Sequence, residues 1–461
     1  MSVPFGPVAL TLADITRELH RTFAQFTDPR RGKNTRYTLV DAGLSAFAVF
    51  FMQSPSFLNY QRCLEQAQGC SNAQTLFGVY QIPTDNQIRT LLDPTDPAVL
   101  RPLFFYLFNE LNEAGIIDTY RSVHQTLLIA FDGTDYFSSA AIHCPHCSTR
   151  THADGHVTYF HTVLTPVVVK PGEERVIPLP PEFVHPQDGA AKQDCEINAA
   201  KRWLEACGGQ YSPLGATILG DDLYSHEPFC RAVLEQHLNF ILVCQPTSHP
   251  ITYEWLDFLE RGGAVRTVVR TRWTGRRREI DTYRHAQAVP LRDHENALLV
   301  NWCELTTADQ DGNILYQNAF VTNFTIDDAN VVEVVAGGRS RWKIENENNN
   351  TLKTKGYHFE HNYGHGRQYL SAVLASLIIL ALLVHTVLEW VDNQYQLLRQ
   401  KLPSRQQLFE DLRTLTRYMC FDSWDDLMTF MLDSFKPGRV VPVRLPHAGE
   451  MFIPQIDPAP A

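Results

Sequence analysis

Three acidic residues stand where the local pattern could support metal-dependent chemistry. Asp132 and Asp221 each end an apolar run that is typical of a buried strand. Glu345 closes the segment 341–345, which the sequence indicates as the start of a helix. Carboxylates at the ends of neighbouring strands, facing a third carboxylate on a helix, can hold two divalent cations about 3.5–4 Å apart, the arrangement that promotes phosphoryl transfer. The acids therefore predict a site that cuts and joins DNA.

The second acid has a neighbour of the same type, because Asp222 follows Asp221. Adjacent side chains of a strand point to opposite faces, so only one of the two can share a face with Asp132. Periodicity does not choose between them, since both alternate positions of Ala216–Gly220 are small or apolar, as in a strand covered on two faces. On the residues alone the choice stays open.

The elements around the acids predict an α/β fold. In chain order the sequence indicates three strands, a helix, a strand, a helix and a strand, at 126–131, 157–164, 175–179, 195–207, 216–220, 227–238 and 239–244. The order βββ-α-β-α-β is that of a ribonuclease-H-like core, with one acid after the first strand, one after the fourth and one on a late helix. We expect this core to position the site.

The segments resemble the DDE transposases of bacterial insertion sequences, and the insertion-sequence-4 family in particular. The matching motifs are Asp-Gly-Thr at 132–134, Asp-Asp-Leu-Tyr at 221–224 and Arg-Trp-Lys-Ile-Glu at 341–345. The resemblance covers about residues 120–390. It implies cut-and-paste DNA transposition, in which a homodimer or larger synaptic complex cleaves the terminal inverted repeats and joins them to target DNA.

The same resemblance implies the roles of individual residues. Asp132, Asp221 and Glu345 would be the catalytic triad and would bind two Mg²⁺ ions, which Mn²⁺ could replace. Asp221 is selected over its neighbour because the family's aspartate lies three residues before an aromatic, here Tyr224. The remaining aspartate would then cap the following turn.

Two positions depart from the family pattern. Gly338 stands where the family often has a tyrosine, and Leu352 stands where it often has a lysine. Lys353 and Lys355 flank the second position and are the candidates for that lysine's role.

Local basic groups are candidate DNA contacts despite a formal net charge of −11. The candidates are Arg341, Lys353, Lys355, Arg30, Arg31, Lys33, Arg276, Arg277 and Arg278. In the resembling family excision proceeds through a DNA hairpin, for which an aromatic wedge beside a flipped base is physically sensible. The wedge candidates are Trp273 and Trp302.

His143-Cys144-Pro145-His146-Cys147 has the two-residue cysteine spacing of a zinc half-site. A second half is less obvious, because no second C-x-x-C follows; the candidates for it are Cys195, His143, His152, His156 and His161. Two interpretations therefore stay open, a Zn²⁺ site at Cys144 and Cys147 or a turn with reduced, unliganded thiols. The pattern favours the turn.

The predicted organisation has six parts: an all-α N-terminal DNA-binding domain (1–122), the first part of the core (123–244), a β-rich insertion (245–336), the rest of the core with the glutamate helix and a buried helix (337–390), a small helical C-terminal region (391–435) and a flexible tail (436–461). Asparagines at 346 and 348–350 contradict helix propensity beside Glu345, as happens at functional sites.

The apolar run 372–388 is interrupted by Ser376 and His385 and is shorter than the ~20 residues of a membrane span, so we expect a buried helix and no membrane partner. Residues 1–10 lack a signal pattern, and ten cysteines among 461 residues do not suggest a disulfide framework. With the family resemblance, this predicts a bacterial cytoplasmic, nucleoid-associated protein. The rival predictions are a host nuclease with the same core and a domesticated, non-catalytic DNA-binding protein; the intact triad argues against the latter.

Overall fold

The structure, a computed structural model, describes residues 10–28, 30, 35–58, 60–61, 67–186 and 194–436. The α-helices in these ranges are α1 Leu12–Phe23, α2 Leu39–Phe51, α3 Ala67–Phe77, α4 Asp85–Leu92, α5 Arg101–Glu113, α6 Ile116–Thr119, α7 Glu196–Tyr211, α8 Glu227–Glu235, α9 Pro250–Arg261, α10 Val331–Arg339, α11 Asn350–Thr354, α12 Leu370–Val391, α13 Asn393–Lys401, α14 Arg405–Tyr418 and α15 Trp424–Ser434. The strands are β1 Leu127–Ala130, β2 Gly133–Ser139, β3 Ser148–Thr151, β4 Val157–Leu164, β5 Val167–Val169, β6 Ile177–Pro178, β7 Glu182–Phe183, β8 Ala216–Gly220, β9 Asn239–Val243, β10 Arg266–Trp273, β11 Arg278–Pro290, β12 Leu299–Ala308 and β13 Ile314–Thr322. The predicted tail lies, from residue 437 onward, outside the described residues.

The centre of the molecule is a nine-stranded mixed sheet in the order β10-β11-β12-β13-β9-β8-β1-β5-β6. Strands β1, β8 and β9 run parallel, and β5 and β13 flank them in antiparallel pairing. In chain order β1, β5, β6, α7, β8, α8 and β9 form the βββ-α-β-α-β series. The mixed α/β architecture is compatible with the predicted ribonuclease-H-like core.

One predicted core strand belongs to another sheet. The run 157–164 is strand β4, but it pairs with β2, β3 and β7 in a second, four-stranded sheet. The strand that pairs with β1 in the large sheet is β5, which follows Pro166. Because proline has no N–H to donate to a strand ladder, the chain leaves one sheet and enters the other at that residue.

The predicted β-rich insertion extends the large sheet. It begins with α9, a helix that the sequence analysis did not anticipate, and continues through the antiparallel strands β10–β13. Val321 of β13 pairs with Leu242 of β9, so hydrogen bonding runs unbroken from the core strands into the insertion. The free end of this extension is the β10–β11 hairpin.

The helix that carries Glu345 starts earlier than predicted. Helical structure begins at Val331 with α10 and continues through a 3₁₀ turn and a π-helix, Ile344–Asn349, into α11. A Cβ on Gly338 would lie 2.7 Å from the Phe320 ring, so glycine lets this helix pack closely on the sheet. That close approach explains why no tyrosine stands at this position.

A single buried helix joins the helical regions to the core. Helix α12 is the one described helix that is long and apolar enough to cross a membrane, by length and composition alone, and 94% of its apolar window is buried inside the protein. The prediction of a buried helix is confirmed. Helices α2 and α5 of the N-terminal region and α13 of the C-terminal region pack against it, within one hydrophobic cluster.

Short local signals in the sequence also set helix boundaries. Thr84 and Gln87 form a capping box at the start of α4, and Asp96 caps the helical turn that leads into α5. The apolar face of α1 is buried, including Ile15 and Leu19.

Candidate active site

Asp132 and Asp221 lie side by side because their strands are parallel neighbours. Ala130 of β1 pairs with Leu219 of β8, and the backbone N–H of Phe131 donates to the Leu219 carbonyl at 2.8 Å. Asp132 lies two residues after Ala130, and Asp221 lies two residues after Leu219. The carboxyl ends of neighbouring parallel strands thus present two acids at one edge of the sheet, as the sequence predicts.

Glu345 faces this edge from the π-helix, and an arginine joins it to Asp132. Arg341 Nη2 lies 2.9 Å from Glu345 Oε1, and its Nη1 lies 4.0 Å from Asp132 Oδ1. The Arg341 side chain is 19% exposed, whereas Glu345 is 54% exposed. A single cationic group therefore bridges two of the three acids.

The site raises the pKa of its two aspartates. Burial, with Glu196, Glu345 and Asp221 nearby, raises the pKa of Asp132 to about 7, although Arg341 opposes the shift. Burial also raises the pKa of Asp221, again against the pull of Arg341. Ionisation of these two carboxylates is therefore disfavoured in the absence of a bound cation.

The three carboxylates are close but not clustered. Among the described residues they do not form a group in which at least three ligand atoms lie within 4.8 Å of one another. The guanidinium of Arg341 lies between two of them instead. The donor set is nonetheless all oxygen, as Mg²⁺ prefers, so the residues fit that ion once Arg341 turns aside.

The asparagine cluster positions Asp132. Asn349 donates through Nδ2 to Asp132 Oδ2 at 3.2 Å and accepts from the Thr165 hydroxyl at 2.7 Å. Asn348 Nδ2 donates to Asn349 Oδ1 at 3.0 Å, and both amides are buried. The asparagines thus form a buried chain of hydrogen bonds on a π-helix, an element that is frequent at functional sites, and the functional role of this stretch stays a prediction.

Glu196 is a fourth acid at this edge that the sequence analysis did not single out. Its Oε1 accepts from Gly133 N at 2.9 Å and from the Tyr224 hydroxyl. A Cβ at Gly133 would lie 2.3 Å from Glu196 Oε2, so a larger residue after Asp132 would have to displace the Glu196 carboxylate. The sequence marks Glu196 only as an acid in the first turn of the helix before β8. Its contacts in the structure connect the turn after β1 to the turn after β8.

The adjacent aspartates have different partners. Asp221 Oδ1 accepts from Leu223 N at 2.9 Å, which shapes the turn after β8. Asp222 accepts from Gln245 N at 2.6 Å and from the Ser248 hydroxyl, and so holds the segment before α9. The expectation that Asp222 caps the following turn is wrong, because its carboxylate points to the β9–α9 connection.

The two tryptophans predicted as wedge candidates differ in their exposure to solvent. Trp273 ends β10 on the exposed hairpin, and its side chain is 67% exposed. Trp302 is 2% exposed and packs edge-on against Tyr253. Trp302 is therefore not available as a wedge, because its indole is enclosed between the sheet and α9.

The arginine run of the insertion is on the surface. Arg276, Arg277 and Arg278 are all exposed at the β10–β11 turn, and Arg277 pairs with Glu279 at 2.9 Å. The hairpin is exposed throughout 269–278. It forms a projecting basic arm, which we call the arginine arm (residues 269–278).

Two of the other basic candidates are engaged in ion pairs: Arg30 pairs with Asp28 at 2.6 Å, and Lys353 pairs with Glu360 at 2.9 Å. Lys355 follows α11 and is exposed, and its backbone carbonyl accepts from Gln53 Nε2 at 3.3 Å. Arg31 and Lys33 lie outside the described residues.

The cysteine pair lies apart from the acids, on the turn between β2 and β3. Cys144 and Cys147 are there joined by His161 of β4 and by His365, a residue the sequence analysis did not consider as a ligand. The other candidates do not join them: His143 stacks on Tyr159, His152 and His156 stack on each other, and Cys195 is exposed before α7.

Comparisons with known proteins leave the chain without a family. No protein-family model matches it, and no curated protein matches its sequence. Seven chains of solved structures match, among them a cryo-EM structure of the piggyBac transposase synaptic complex with hairpin DNA. That chain shares 10% sequence identity, with a TM-score of 0.41 over 93% of this chain and 80% of the other. Values this low assign neither a family nor an activity.

Asp132 should make the metal-free fold sensitive to pH. The folded pKa of about 7 exceeds the unfolded value, so the stabilisation is complete below the unfolded pKa and is lost as pH rises through 7. In Mg²⁺-free buffer we expect Asp132→Asn to become more stable than wild type by about 1–3 kcal/mol as pH rises from about 5 to about 8, a figure discounted for partial exposure. Thermal melts of both proteins across this pH range test the prediction. A difference in stability between them that stays constant with pH would contradict it.

Proposed function

We propose that the chain is a DDE-type DNA transposase that cleaves the ends of an insertion sequence and joins them to target DNA. The observation that carries the proposal is the meeting of Asp132 and Asp221 on adjacent parallel strands, with Glu345 reaching them from a helix through Arg341. The acids come from distant parts of the chain, and the fold brings them to one edge of the sheet.

The three acids are the proposed ligands of divalent metal. Bound Mg²⁺ ions would activate the attacking oxygen and stabilise the leaving oxygen of a phosphodiester. The raised pKa of Asp132 and Asp221 supports this role, because a cation relieves the repulsion and the desolvation that disfavour their charge. The other residues of the site hold these ligands in place.

Asn349 and Glu196 are the proposed positioning residues. The amide of Asn349 fixes one oxygen of Asp132, and Thr165 fixes that amide in turn. Glu196 binds the backbone directly after Asp132 and the tyrosine hydroxyl of the β8 turn. The Asn349 contact holds the Asp132 carboxylate, and the Glu196 contacts tie the turn after β1 to the turn after β8 that carries Asp221.

Arg341 is the proposed phosphate ligand. In the metal-free protein it neutralises Glu345 and approaches Asp132. A cation among the acids would replace it there and would leave its guanidinium beside the metal site, where a planar donor fork suits a DNA phosphate. Arg341 would thus be free to bind a phosphate of the DNA when the acids hold a cation.

The arginine arm is the proposed second DNA contact. Its exposed guanidinium groups can bind phosphates, and the exposed Trp273 indole can stack on an extruded base. We propose that the arm engages the transposon end, and that a dimer or larger complex pairs two ends. Lys353, Lys355 and Arg30 remain candidates for weaker backbone contacts.

The proposed function is tested with the DNA that flanks the gene. Purified full-length chain, Mg²⁺, a linear duplex with the flanking inverted repeats and a target plasmid are incubated together, and both end cleavage and insertion are scored. We expect cleavage at the repeat ends followed by joining. Cleavage without joining would indicate a host nuclease, and a gel shift without cleavage in Mg²⁺ or Mn²⁺ would indicate a DNA-binding protein; either result overturns the proposal.

Arg341 should reveal its phosphate contact in the salt dependence of binding. Each phosphate contact contributes about 0.9 to the slope of log affinity against log salt. We expect Arg341→Ala to weaken end binding in Mg²⁺ and to reduce the slope by about one such contact. Arg339→Ala is the matched control, because Arg339 lies over the Tyr316 ring and not among the acids. Equal slopes for wild type and Arg341→Ala would show that Arg341 does not contact a phosphate.

The same titration separates the two parts of the arginine arm. Replacing Arg276, Arg277 and Arg278 with glutamine should reduce the slope by about two to three contacts. Trp273→Ala should weaken binding by a similar factor at every salt concentration and leave the slope unchanged, because stacking is not ionic. If neither variant differs from wild type, the arm does not engage DNA.

A further inference from the structure

We propose that Cys144, Cys147, His161 and His365 bind one structural zinc ion. The inference does not rest on the transposase proposal. Among the described residues this is the group of potential metal-ligand side chains whose donor atoms all lie within 4.8 Å of one another. It combines two thiols and two imidazoles, the Cys₂His₂ set of closed zinc sites.

The distances between the donor atoms fit a tetrahedron around zinc. Bond lengths of about 2.3 Å to sulfur and about 2.0–2.1 Å to nitrogen place tetrahedral ligands roughly 3.8 Å (S to S), 3.6 Å (S to N) and 3.3 Å (N to N) apart. The two sulfurs lie 3.7 Å apart, and the two nitrogens, His161 Nε2 and His365 Nδ1, lie 3.3 Å apart. Three of the four sulfur-to-nitrogen distances are 3.3, 3.4 and 3.9 Å, and the fourth, between Cys144 and His365, lies within 4.8 Å.

The surroundings hold the ligands in this arrangement. Cys147 N donates to the Cys144 carbonyl, and Cys144 N points at Cys147 Sγ from 3.4 Å, so the turn itself aims both sulfurs inward. The His161 ring stacks on Tyr136, and the His365 ring packs edge-on against Phe137. Neighbouring aromatic rings fix both imidazole planes.

Tetrahedral S₂N₂ donors select zinc over harder or redox-active ions. Mg²⁺ and Ca²⁺ require oxygen ligands. A Rieske [2Fe–2S] cluster also uses two cysteines and two histidines, but it binds the cysteine pair and the histidine pair on different irons. Sulfur-to-nitrogen distances of 3.3–3.9 Å fit four ligands around one ion instead. Four protein ligands also leave no open position for substrate, which marks a structural and not a catalytic ion.

The ion would connect two parts of the chain that the sequence separates widely. The cysteines and His161 belong to the small sheet, whereas His365 lies on the connection between α11 and α12. That connection follows the helix that bears Glu345. The zinc would therefore anchor the path of the chain from the glutamate helix to the small sheet.

Hydrogen bonds to Asp93 hold the part of the α11–α12 connection that follows His365. The Asp93 carboxylate accepts from Arg367 N, Gln368 N and Leu370 N at 2.9–3.2 Å. A Cβ on Gly366 would lie 2.1 Å from Asp93 Oδ1, so the chain approaches Asp93 in a way that only glycine allows. His365 is placed next to this anchor.

Metal content tests the inference directly. Full-length protein purified without chelator should carry about one zinc per chain by elemental analysis, whether or not it cuts DNA. His365→Ala should weaken zinc retention at least about tenfold. His361→Ala and His146→Ala are matched controls from the same connection and the same turn, and neither belongs to the cluster.

A second measurement covers variants that do not fold. Wild-type protein reconstituted with Co²⁺ should show the visible ligand-field bands of a tetrahedral site and a thiolate charge-transfer band, and adding Zn²⁺ should remove both. Wild-type protein that retains no zinc and gives no such bands would overturn the site. Equal zinc loss from His365→Ala and His361→Ala would remove His365 from the ligand set and overturn the proposal as stated.

Discussion

Strand cleavage should fall by at least about a thousandfold in Asp132→Asn and in Glu345→Gln, which corresponds to about 4 kcal/mol of lost transition-state stabilisation. Each change removes a charged ligand and preserves the size of the side chain. In Asp132→Asn the contact with Asn349 can reform with the amide turned, so the fold should persist. The measurement is cleavage of a terminal-repeat duplex in Mg²⁺ beside a gel shift with the same DNA.

The gel shift distinguishes a loss of cleavage from a loss of DNA binding. Binding of the ends should stay within about threefold of wild type, because the principal phosphate contacts are basic groups elsewhere. Glu347→Gln is the matched control for Glu345→Gln, since Glu347 belongs to the same π-helix and has none of the triad's contacts with Arg341. Substantial cleavage by either triad variant would exclude that acid as a metal ligand.

The second large effect separates two adjacent residues. Asp221→Asn should be folded and without detectable cleavage, whereas Asp222→Asn should cleave and be less stable by about 1 kcal/mol. The structural reason is that Asp222 binds Gln245 N and Ser248, while Asp221 faces Arg341 and the other acids. Cleavage rates and melting temperatures of the two purified variants decide the matter.

The reverse outcome has a clear meaning as well. A dead Asp222→Asn with an active Asp221→Asn would move the metal ligand by one residue to the other face of the strand. A Ser248→Ala variant then serves as control, because it loosens Asp222 without touching its charge. It should be active if Asp222 is structural.

The acids could be predicted from the sequence because strands and the residues that end them are local features. An apolar run such as 216–220 indicates a buried strand, and the residue that follows the strand lies at the edge of the sheet. The helix caps at Thr84 and Asp96 were predictable for the same reason. These signals are complete within a few residues of chain.

What could not be predicted depends on long-range pairing. The run 157–164 is predicted as a core strand, yet β4 belongs to the small sheet, because only packing decides which sheet the chain joins on either side of Pro166. His365 joins Cys147 across more than two hundred residues, and no local pattern marks it as a ligand. The burial of Trp302 likewise depends on where α9 packs, which composition does not show.

The buried helix α12 has a consequence for biosynthesis. A segment of this hydropathy, met alone at the ribosome exit, has the length and composition that a membrane-insertion machinery accepts. The helices α2 and α5 that cover it precede it in the chain, so they have already been translated when it emerges. Translation order therefore supplies the segment with protein partners before a lipid bilayer can compete for it.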